Sequence, residues 1–202
     1  MTAMLSDQGL GQSTFKLIEP HEYAHCIIDV QRKYCDPAHI ARRGNGDTRL
    51  ISGRIATVAP LFRAASVPTY IIYFSYDKTV PVTSAGGGLF MLKMEEGDVA
   101  LAKNRDSAFE GSDLENILKQ EGRRKLLISG FNINACVYST VLDARRKGFA
   151  VDVLRDCVGN DNENQSPPTD FINKMRKRGA GIIDHRAALE AITKAQSAPA
   201  PF

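Results

Sequence analysis

Cys136 stands where a predicted buried strand gives way to a predicted helix, a position that can make a thiol nucleophilic. The apolar segment 125–130 ends at Gly130, and the segment 135–147 carries apolar residues at helical spacing. At such a junction the backbone N–H groups and the helix dipole favour negative charge. The pattern therefore predicts a cysteine of lowered pKa that attacks a carbonyl carbon. A buried structural cysteine is the alternative, because free cysteines are commonly core residues.

Two further residues suited to acid–base or electrostatic chemistry lie at the ends of predicted strands. Asp29 ends the apolar part of segment 25–30, and Lys103 ends segment 98–103. In a parallel sheet the carboxyl ends of the strands meet at one edge, where the ligand sites of α/β proteins lie. We therefore expect Asp29, Lys103 and Cys136 to converge there. The alternatives are an aspartate that caps a neighbouring loop and a solvated lysine.

Strand and helix patterns alternate along the chain, and this alternation predicts the elements that position the three residues. Apolar and β-branched runs predict strands at 25–30, 69–74, 98–103, 125–130, 149–154 and 182–183. Helices are predicted at 51–66, after an N-cap at Ser112, at 135–147, at 167–177 and at 186–194. The segment 76–97, rich in glycine, is predicted to be a long loop or flap. The alternation indicates a three-layer α/β/α, Rossmann-like fold around a mostly parallel sheet of about six strands.

Length and composition are typical of one soluble globular domain. The 202 residues are 43% hydrophobic and 24% charged, which argues against a disordered chain. We predict an N-terminal extension at 1–20, a single domain at 21–196 and a loose C-terminal tail at 197–202. A net charge of +3, dispersed in short clusters, argues against nucleic acid as a partner. No apolar run approaches the roughly 20 residues that a membrane-spanning helix needs.

The four cysteines indicate neither a disulfide framework nor a zinc site, because they show no CxxC spacing. Reduced thiols in the cytoplasm fit this pattern best, and the first twenty residues contain no apolar signal core. We therefore predict a cytoplasmic protein. Cys26, Cys35 and Cys157 are interpreted as ordinary core or surface thiols, with Cys35 the nearest of them to the pocket.

Three blocks of the sequence, in order, resemble the isochorismatase-like cysteine hydrolase superfamily, which also contains nicotinamidases and N-carbamoylsarcosine amidases. Residues 27–31 are similar to an apolar strand that ends in Asp-x-Gln, and residues 103–109 to a Lys-x-x-x-Ser-Ala-Phe segment. The third block runs from Gly130 to Val137 and is followed by Thr140, Asp143, Ala144 and Gly148. Each block alone is a weak signal, whereas the ordered set is a strong one.

The resemblance implies a catalytic triad of Asp29, Lys103 and Cys136. Asp29 would take the thiol proton, and Lys103 would stabilise the carboxylate and the thiolate. The resemblance also implies a cis peptide bond between Phe131 and Asn132. The backbone amides of Asn132 and Cys136 would then form an oxyanion hole for the tetrahedral intermediate.

Five residues are candidates for contact with a small-molecule substrate. Gln31 shares a predicted strand face with Asp29, and Arg105 could bind a substrate carboxylate or be a surface residue. Phe109 is either a wall of the substrate pocket or a core residue. The full set consists of Gln31, Tyr34, Arg105, Phe109 and Asn134.

Nicotinamidases of the superfamily bind a metal through Asp-x-His and further histidines, a pattern that this chain lacks. Asp36 and His39 are three residues apart and isolated. The sequence therefore predicts no metal and no cofactor, which argues against a nicotinamidase.

Three functions remain open from the sequence. The first is metal-independent hydrolysis of the C–N bond of a small amide or carbamoyl compound through a thioester, which the retained Cys136 favours. The second is the hydrolysis of a vinyl ether of the isochorismate type, with Asp29 as the acid. The third is a catalytically idle member that binds a ligand or regulates a partner. The superfamily also implies a homo-oligomer, a dimer or a tetramer.

Overall fold

The computed structural model describes residues 20–35, 48–75, 92–161 and 168–197. Almost all of the predicted N-terminal extension, most of the predicted flap at 76–97 and the end of the C-terminal tail lie outside these residues. The domain limits at 1–20, 21–196 and 197–202 therefore stay predictions.

Six parallel strands form one sheet in the order β3-β2-β1-β4-β5-β6. The strands are β1 Tyr23–Ile28, β2 Thr69–Phe74, β3 Val99–Lys103, β4 Lys125–Phe131, β5 Ala150–Gly159 and β6 Gly181–Ile183. Within the described ranges the α-helices are α1 Arg32–Cys35, α2 Thr48–Ala64, α3 Leu114–Gln120, α4 Tyr138–Arg146, α5 Pro168–Lys177 and α6 His185–Ser197. A short 3-10 helix, Pro20–Glu22, precedes β1. The structure confirms the predicted α/β class, and β5 continues five residues beyond its predicted end at residue 154.

Helices cover both faces of the sheet, so the central strands are buried on both sides. Helices α2 and α6 contribute Ile55, Phe62 and Ile192 to one hydrophobic cluster. Helices α3, α4 and α5 pack in the other cluster, for example through Leu118. In β1 the side chain of Ile27 enters the first cluster, whereas those of Cys26 and Ile28 enter the second. This arrangement explains why the strands are continuous apolar runs.

Gly130, near the end of β4, allows two strands to approach closely. Its φ is +121°, and a Cβ placed on it would lie 2.0 Å from the carbonyl oxygen of Ile28 in β1. The pairing of β4 with β5 also changes register between Ile128 and Gly130. A residue without a side chain is therefore required where the chain leaves β4 towards Cys136.

The helix that carries Cys136 begins differently from the prediction. A π-helix, Ile133–Val137, precedes α4, in which the amide of Val137 donates to the carbonyl oxygen of Asn132, five residues earlier, at 3.0 Å. The amide of Ala135 donates to the same oxygen at 3.1 Å. A wider turn of this kind is common at functional sites.

The N-cap of α3 is Asp113, one residue beyond the predicted Ser112, and the Asp113 side chain makes no capping hydrogen bond. The Ser112 hydroxyl accepts from the amide of Leu114 at 3.3 Å and donates to the carbonyl oxygen of Ala108. Ser112 therefore still binds an amide at the start of the helix.

Candidate active site

Asp29 follows the last residue of β1 in a left-handed conformation, with φ of 51°. Its amide donates to the carbonyl oxygen of Ile72 at 2.8 Å, and its side chain is 2% exposed. Left-handed residues other than glycine are uncommon, and they are concentrated at functional sites. Since the chain turns at Asp29, the expectation that Asp29 and Gln31 share one face of a strand is wrong.

Lys103 ends β3 with its side chain completely buried. Its ammonium lies 2.8 Å from Oδ2 of Asp29 and 3.4 Å from Sγ of Cys136. It also donates to the carbonyl oxygen of Arg105 at 3.1 Å. The expected convergence of Asp29, Lys103 and Cys136 is thus present in the structure, and we call these three residues the Lys103 cluster.

The backbone of Cys136 is anchored by a hydrogen bond from Thr140. The hydroxyl of Thr140 donates to the carbonyl oxygen of Cys136 at 2.7 Å and accepts from the amide of Ala108 at 2.9 Å. This bridge joins the start of α4 to the loop that follows β3. Because Lys103 ends that same strand, the thiol and the ammonium are positioned by one connected set of hydrogen bonds.

The thiol of Cys136 has a raised pKa, contrary to the lowered pKa that we predicted from the helix dipole. Burial and the neighbouring Asp29 carboxylate raise its pKa to about 12, and Lys103 opposes the shift. Burial also raises the pKa of Asp29, with Lys103 again opposing. Desolvation disfavours the charged form of both acids. The raised pKa favours the neutral thiol of Cys136 over the thiolate.

A cavity of about 520 Å³ adjoins the Lys103 cluster. None of the three clustered residues lines it, but three of its lining residues contact them. The Phe74 ring lies 4.9 Å from the Lys103 ammonium, Oδ1 of Asp106 lies 4.0 Å from Sγ of Cys136, and the carbonyl oxygen of Arg105 accepts from Lys103. The remaining lining residues come from the loop after β3 and from α4: Asn104, Ser107, Glu110, Ser139, Leu142, Asp143 and Arg146.

The segment between β4 and the thiol contains the cis peptide bond that the resemblance implied, between Phe131 and Asn132. The side-chain oxygen of Asn132 accepts from the amide of Asp161 at 2.6 Å, which ties the segment to the end of β5. The amide of Asn134 donates to the side chain of Asn160 at 3.4 Å. The roles of the Asn132 and Cys136 amides as oxyanion donors stay a prediction.

Gln31 joins the ends of two strands. Its Nε2 donates to the carbonyl oxygen of Phe74 at 3.2 Å, and its Oε1 accepts from the amide of Phe74 at 2.8 Å. Both ends of this side-chain amide thus hold the end of β2 beside the Lys103 cluster. The geometry supports a positioning role rather than direct contact with substrate.

The other substrate candidates occupy different environments. Arg105 is exposed and lines the cavity. Phe109 lies in the hydrophobic core, stacked on Phe149 with a centroid distance of 5.7 Å, so the core alternative applies to it. Tyr34 packs against the cluster of core residues beneath α2, with the Lys33 ammonium 4.6 Å from its ring centre.

Two charged residues near the thiol were missed by the sequence analysis. Asp106 is one of them. The other is Lys33, whose ammonium lies 3.5 Å from the carbonyl oxygen of Phe74. Partial burial lowers the pKa of Lys33, while Asp29 opposes the shift. Residue type gave no signal for either, because exposed charges in loops and short helices are ordinary surface features.

A second group of Asp, Cys and a basic residue was also missed. Ligand atoms of Asp156, Cys157 and His185 all lie within 4.8 Å of one another, and we call these residues the His185 cluster. The Asp156 carboxylate accepts from the His185 amide at 3.1 Å and contacts its Nδ1 at 2.5 Å. The group therefore stabilises the start of α6. The isolated pair Asp36 and His39 lies outside the described residues.

A parallel sheet of six strands with helices on both faces defines a three-layer α/β protein, and comparison with known proteins gives its family. The family model described as "Isochorismatase domain" matches residues 23–187, so the chain belongs to the isochorismatase family. This hydrolase family includes amidase relatives of the chain.

Two curated relatives illustrate the range of the family. The secreted isochorismatase effector Isc1 of Verticillium dahliae is 24% identical over 162 residues, which are 78% of this chain and 82% of that protein. The N-carbamoylsarcosine amidase of an Arthrobacter species is 38% identical over 65 residues, or 32% of this chain and 25% of that protein.

The solved structure of a cysteine hydrolase from Pseudomonas syringae pv. phaseolicola 1448A has the same fold. The TM-score is 0.75 at 17% identity, over 89% of this chain and 96% of the other. Within the described part of the chain, no helix combines the length and apolar character of a membrane span.

Proposed function

We propose that the protein is a metal-independent cysteine hydrolase that cleaves the C–N bond of a small amide or carbamoyl compound. The observation that carries the proposal is the Lys103 cluster, in which one ammonium lies 2.8 Å from a carboxylate oxygen and 3.4 Å from a thiol. A nucleophile, a base and a charge that stabilises both are the parts that nucleophilic acyl transfer needs.

The first half of the reaction forms a thioester. Asp29 accepts the proton of Cys136 as the sulfur attacks the carbonyl carbon, and the negative charge moves to the carbonyl oxygen. The amides of Asn132 and Cys136 stabilise this oxyanion. When the C–N bond breaks, the leaving nitrogen takes the proton from Asp29 and departs as an amine or ammonia.

The second half releases the acid. Asp29 takes a proton from water, the hydroxide attacks the thioester carbon, and the C–S bond breaks. The proton returns to the sulfur, which restores the thiol. The raised pKa of Cys136 supports a neutral thiol as the resting form, and Lys103 opposes the rise in the pKa of Asp29, which favours the ionised carboxylate that accepts the proton.

Lys103 acts throughout as a fixed positive charge. It favours the ionised form of Asp29 before attack and the thiolate character of Cys136 during attack. Its burial strengthens both interactions, because little water screens them. The amidase among the relatives supports the choice of a C–N bond.

Hydrolysis of a vinyl ether of the isochorismate type is the second candidate. It is favoured by the Verticillium relative, whose name contains isochorismatase and whose match spans most of this chain. That reaction needs Asp29 as an acid and does not need Cys136. A catalytically idle, ligand-binding protein is the remaining alternative, while the homo-oligomer and the cytoplasmic location stay predictions from the sequence.

A screen of small amides and carbamoyl compounds for ammonia release tests the proposal. A compound that is turned over should give an acyl adduct on Cys136, visible by intact-mass spectrometry after an acid quench. Added hydroxylamine should convert that adduct to a hydroxamate. Ammonia release that persists in Cys136→Ala without any adduct would contradict the thioester route. The vinyl-ether alternative instead predicts no ammonia release from any of these compounds.

A further inference from the structure

Asp106 provides a negative charge at the mouth of the candidate active site. Its Oδ1 lies 4.0 Å from Sγ of Cys136, and its exposed side chain also lines the cavity of about 520 Å³. It therefore lies between the thiol and the space that a substrate would fill. In the proposed mechanism the base is the buried Asp29, so the function proposed above gives Asp106 no task.

The loop that carries Asp106 is fixed on both sides of this residue. On one side the buried Lys103 ammonium donates to the carbonyl oxygen of Arg105 at 3.1 Å. On the other side the amide of Ala108 donates to the Thr140 hydroxyl at 2.9 Å, and Ser107 is buried. Anchors on both sides hold the Asp106 backbone beside the thiol. A residue held in this way can discriminate between substrates.

Asp106 forms no ion pair among the residues that the structure describes. By contrast, Asp143 in the same cavity is paired with Arg146 at 2.9 Å. Arg105 also lines the cavity, so a substrate meets charges of both signs, and Asp106 is the lining carboxylate that contacts the thiol.

We propose that Asp106 determines specificity by selecting substrates with an N–H donor or a positive charge beside the scissile carbonyl and by repelling a carboxylate there. A carboxylate accepts strong hydrogen bonds from amino, ureido or amidinium N–H groups. Like charges at this distance repel, and rejection by repulsion is a common source of specificity. This inference rests on the proposed function, because it assumes that the substrate carbonyl reaches Cys136.

Charge-selective labelling of Cys136 tests the inference without a known substrate. Three methanethiosulfonates of similar size, one neutral, one with a trimethylammonium group and one with a sulfonate group, are compared by peptide mass spectrometry. The ratio of the cationic to the anionic labelling rate is measured in the wild type and in Asp106→Asn. We expect the ratio to fall at least about fivefold in the variant, since a reagent charge within about 4 Å of the Asp106 carboxylate would change each labelling rate by this order even in water.

Glu96→Gln is the matched control. Glu96 is also exposed, and its substitution also removes one negative charge. It precedes β3, at the opposite end of that strand from Lys103. Its labelling ratio should equal that of the wild type. Asp106 lies on the surface, so the variant should fold normally, which an unchanged melting temperature would verify.

The outcomes separate the two proposals. If the neutral reagent labels Cys136 readily but the charge ratio is the same in the wild type and in Asp106→Asn, the role of Asp106 is overturned and the cysteine hydrolase proposal stands. If no reagent labels Cys136 faster than the buried cysteines, the thiol is inaccessible and both proposals fail. A fall in the ratio that is confined to Asp106→Asn supports the selection of donor-bearing substrates.

Discussion

The Lys103 cluster and the His185 cluster contain almost the same chemistry in two different settings. Each combines an aspartate, a cysteine and a basic side chain near the carboxyl ends of parallel strands. Burial raises the pKa of both thiols to about 12, so acidity does not distinguish them. Solvent access distinguishes the two thiols, because Cys136 is only partly buried whereas Cys157 is completely buried.

The two carboxylates also differ in what they bind. Asp29 pairs with the buried ammonium of Lys103, an arrangement that contributes little to stability but leaves a base beside a thiol. Asp156 instead receives the amide and the ring of His185 at the start of α6. Under the proposed function, similar side chains serve catalysis in the Lys103 cluster and folding in the His185 cluster, and the clusters differ in solvent access and in the partners of the carboxylate.

Removal of each thiol should have opposite consequences, and this is the largest expected effect. With any amide that the protein hydrolyses, Cys136→Ala should lower kcat by about 10³-fold or more, because the nucleophile is lost. Cys157→Ala should retain wild-type kcat and lose about 1–2 kcal/mol of stability, since it removes buried atoms. Steady-state kinetics and urea unfolding measure the two effects. Equal activity of the two variants would abolish the distinction between the clusters.

Removal of the buried ammonium should destabilise the fold strongly. Lys103→Met leaves the Asp29 carboxylate buried without its partner, and we expect a loss of about 3–5 kcal/mol in the free energy of unfolding. Adding Asp29→Asn should restore much of it, because the unpaired charge is then removed. Lys125→Met, which breaks a partly exposed pair with Glu22, is the control and should cost at most about 1 kcal/mol. A similar cost for both lysine variants would show that burial does not strengthen the Lys103 pair.

Loss of the Asp156 carboxylate should affect the fold but not the chemistry. Asp156→Ala removes the acceptor of the His185 amide, and we expect a loss of about 1–2 kcal/mol with kcat unchanged. Asp156→Asn keeps an acceptor oxygen and should lose less. Urea unfolding with a parallel activity assay measures both. A fall in kcat of tenfold or more in Asp156→Ala would give the His185 cluster a catalytic role.

The pH dependence of labelling is the smallest of the expected effects and refines the comparison of the thiols. With a pKa raised to about 12, the thiolate fraction of Cys136 should increase about tenfold for each pH unit. The rate of iodoacetamide labelling should therefore rise without a plateau between pH 7 and pH 10. A plateau below pH 8 would instead show the lowered pKa that was predicted from the sequence, and it would contradict the raised pKa of Cys136.

Much of this site could be predicted from the sequence, because strand order in a parallel sheet brings the carboxyl ends of the strands together. Asp29, Lys103 and Cys136 follow three apolar runs, so a parallel sheet places them at one edge. Two strands separate β3 from β4, so the contact between Lys103 and Cys136 also depends on the length of the lysine side chain. The start of the helix that carries Cys136 was predicted less accurately. The sequence predicted a helix from residue 135, whereas a π-helix begins at Ile133 and depends on hydrogen bonds to the carbonyl oxygen of Asn132.

The properties that depend on tertiary contacts could not be predicted from the sequence. The pKa of Cys136 was assigned from a local helix dipole, whereas burial and Asp29 determine it in the fold. The His185 cluster forms because α6 begins beside the end of β5, at a sequence separation of 29 residues. From the sequence, Phe109 was either a wall of the pocket or a core residue. Its place in the core follows from stacking on Phe149, which precedes β5 and is distant in sequence.

The most direct test of the account compares the rates at which iodoacetamide labels the four cysteines of the native protein at one pH. Cys26, Cys35 and Cys157 are buried, and only Cys136 is partly accessible. We predict that Cys136 is labelled at least about 100-fold faster than Cys157, although burial raises the pKa of both thiols. Equal labelling of Cys136 and Cys157 would contradict the claim that the Lys103 cluster is an accessible thiol site.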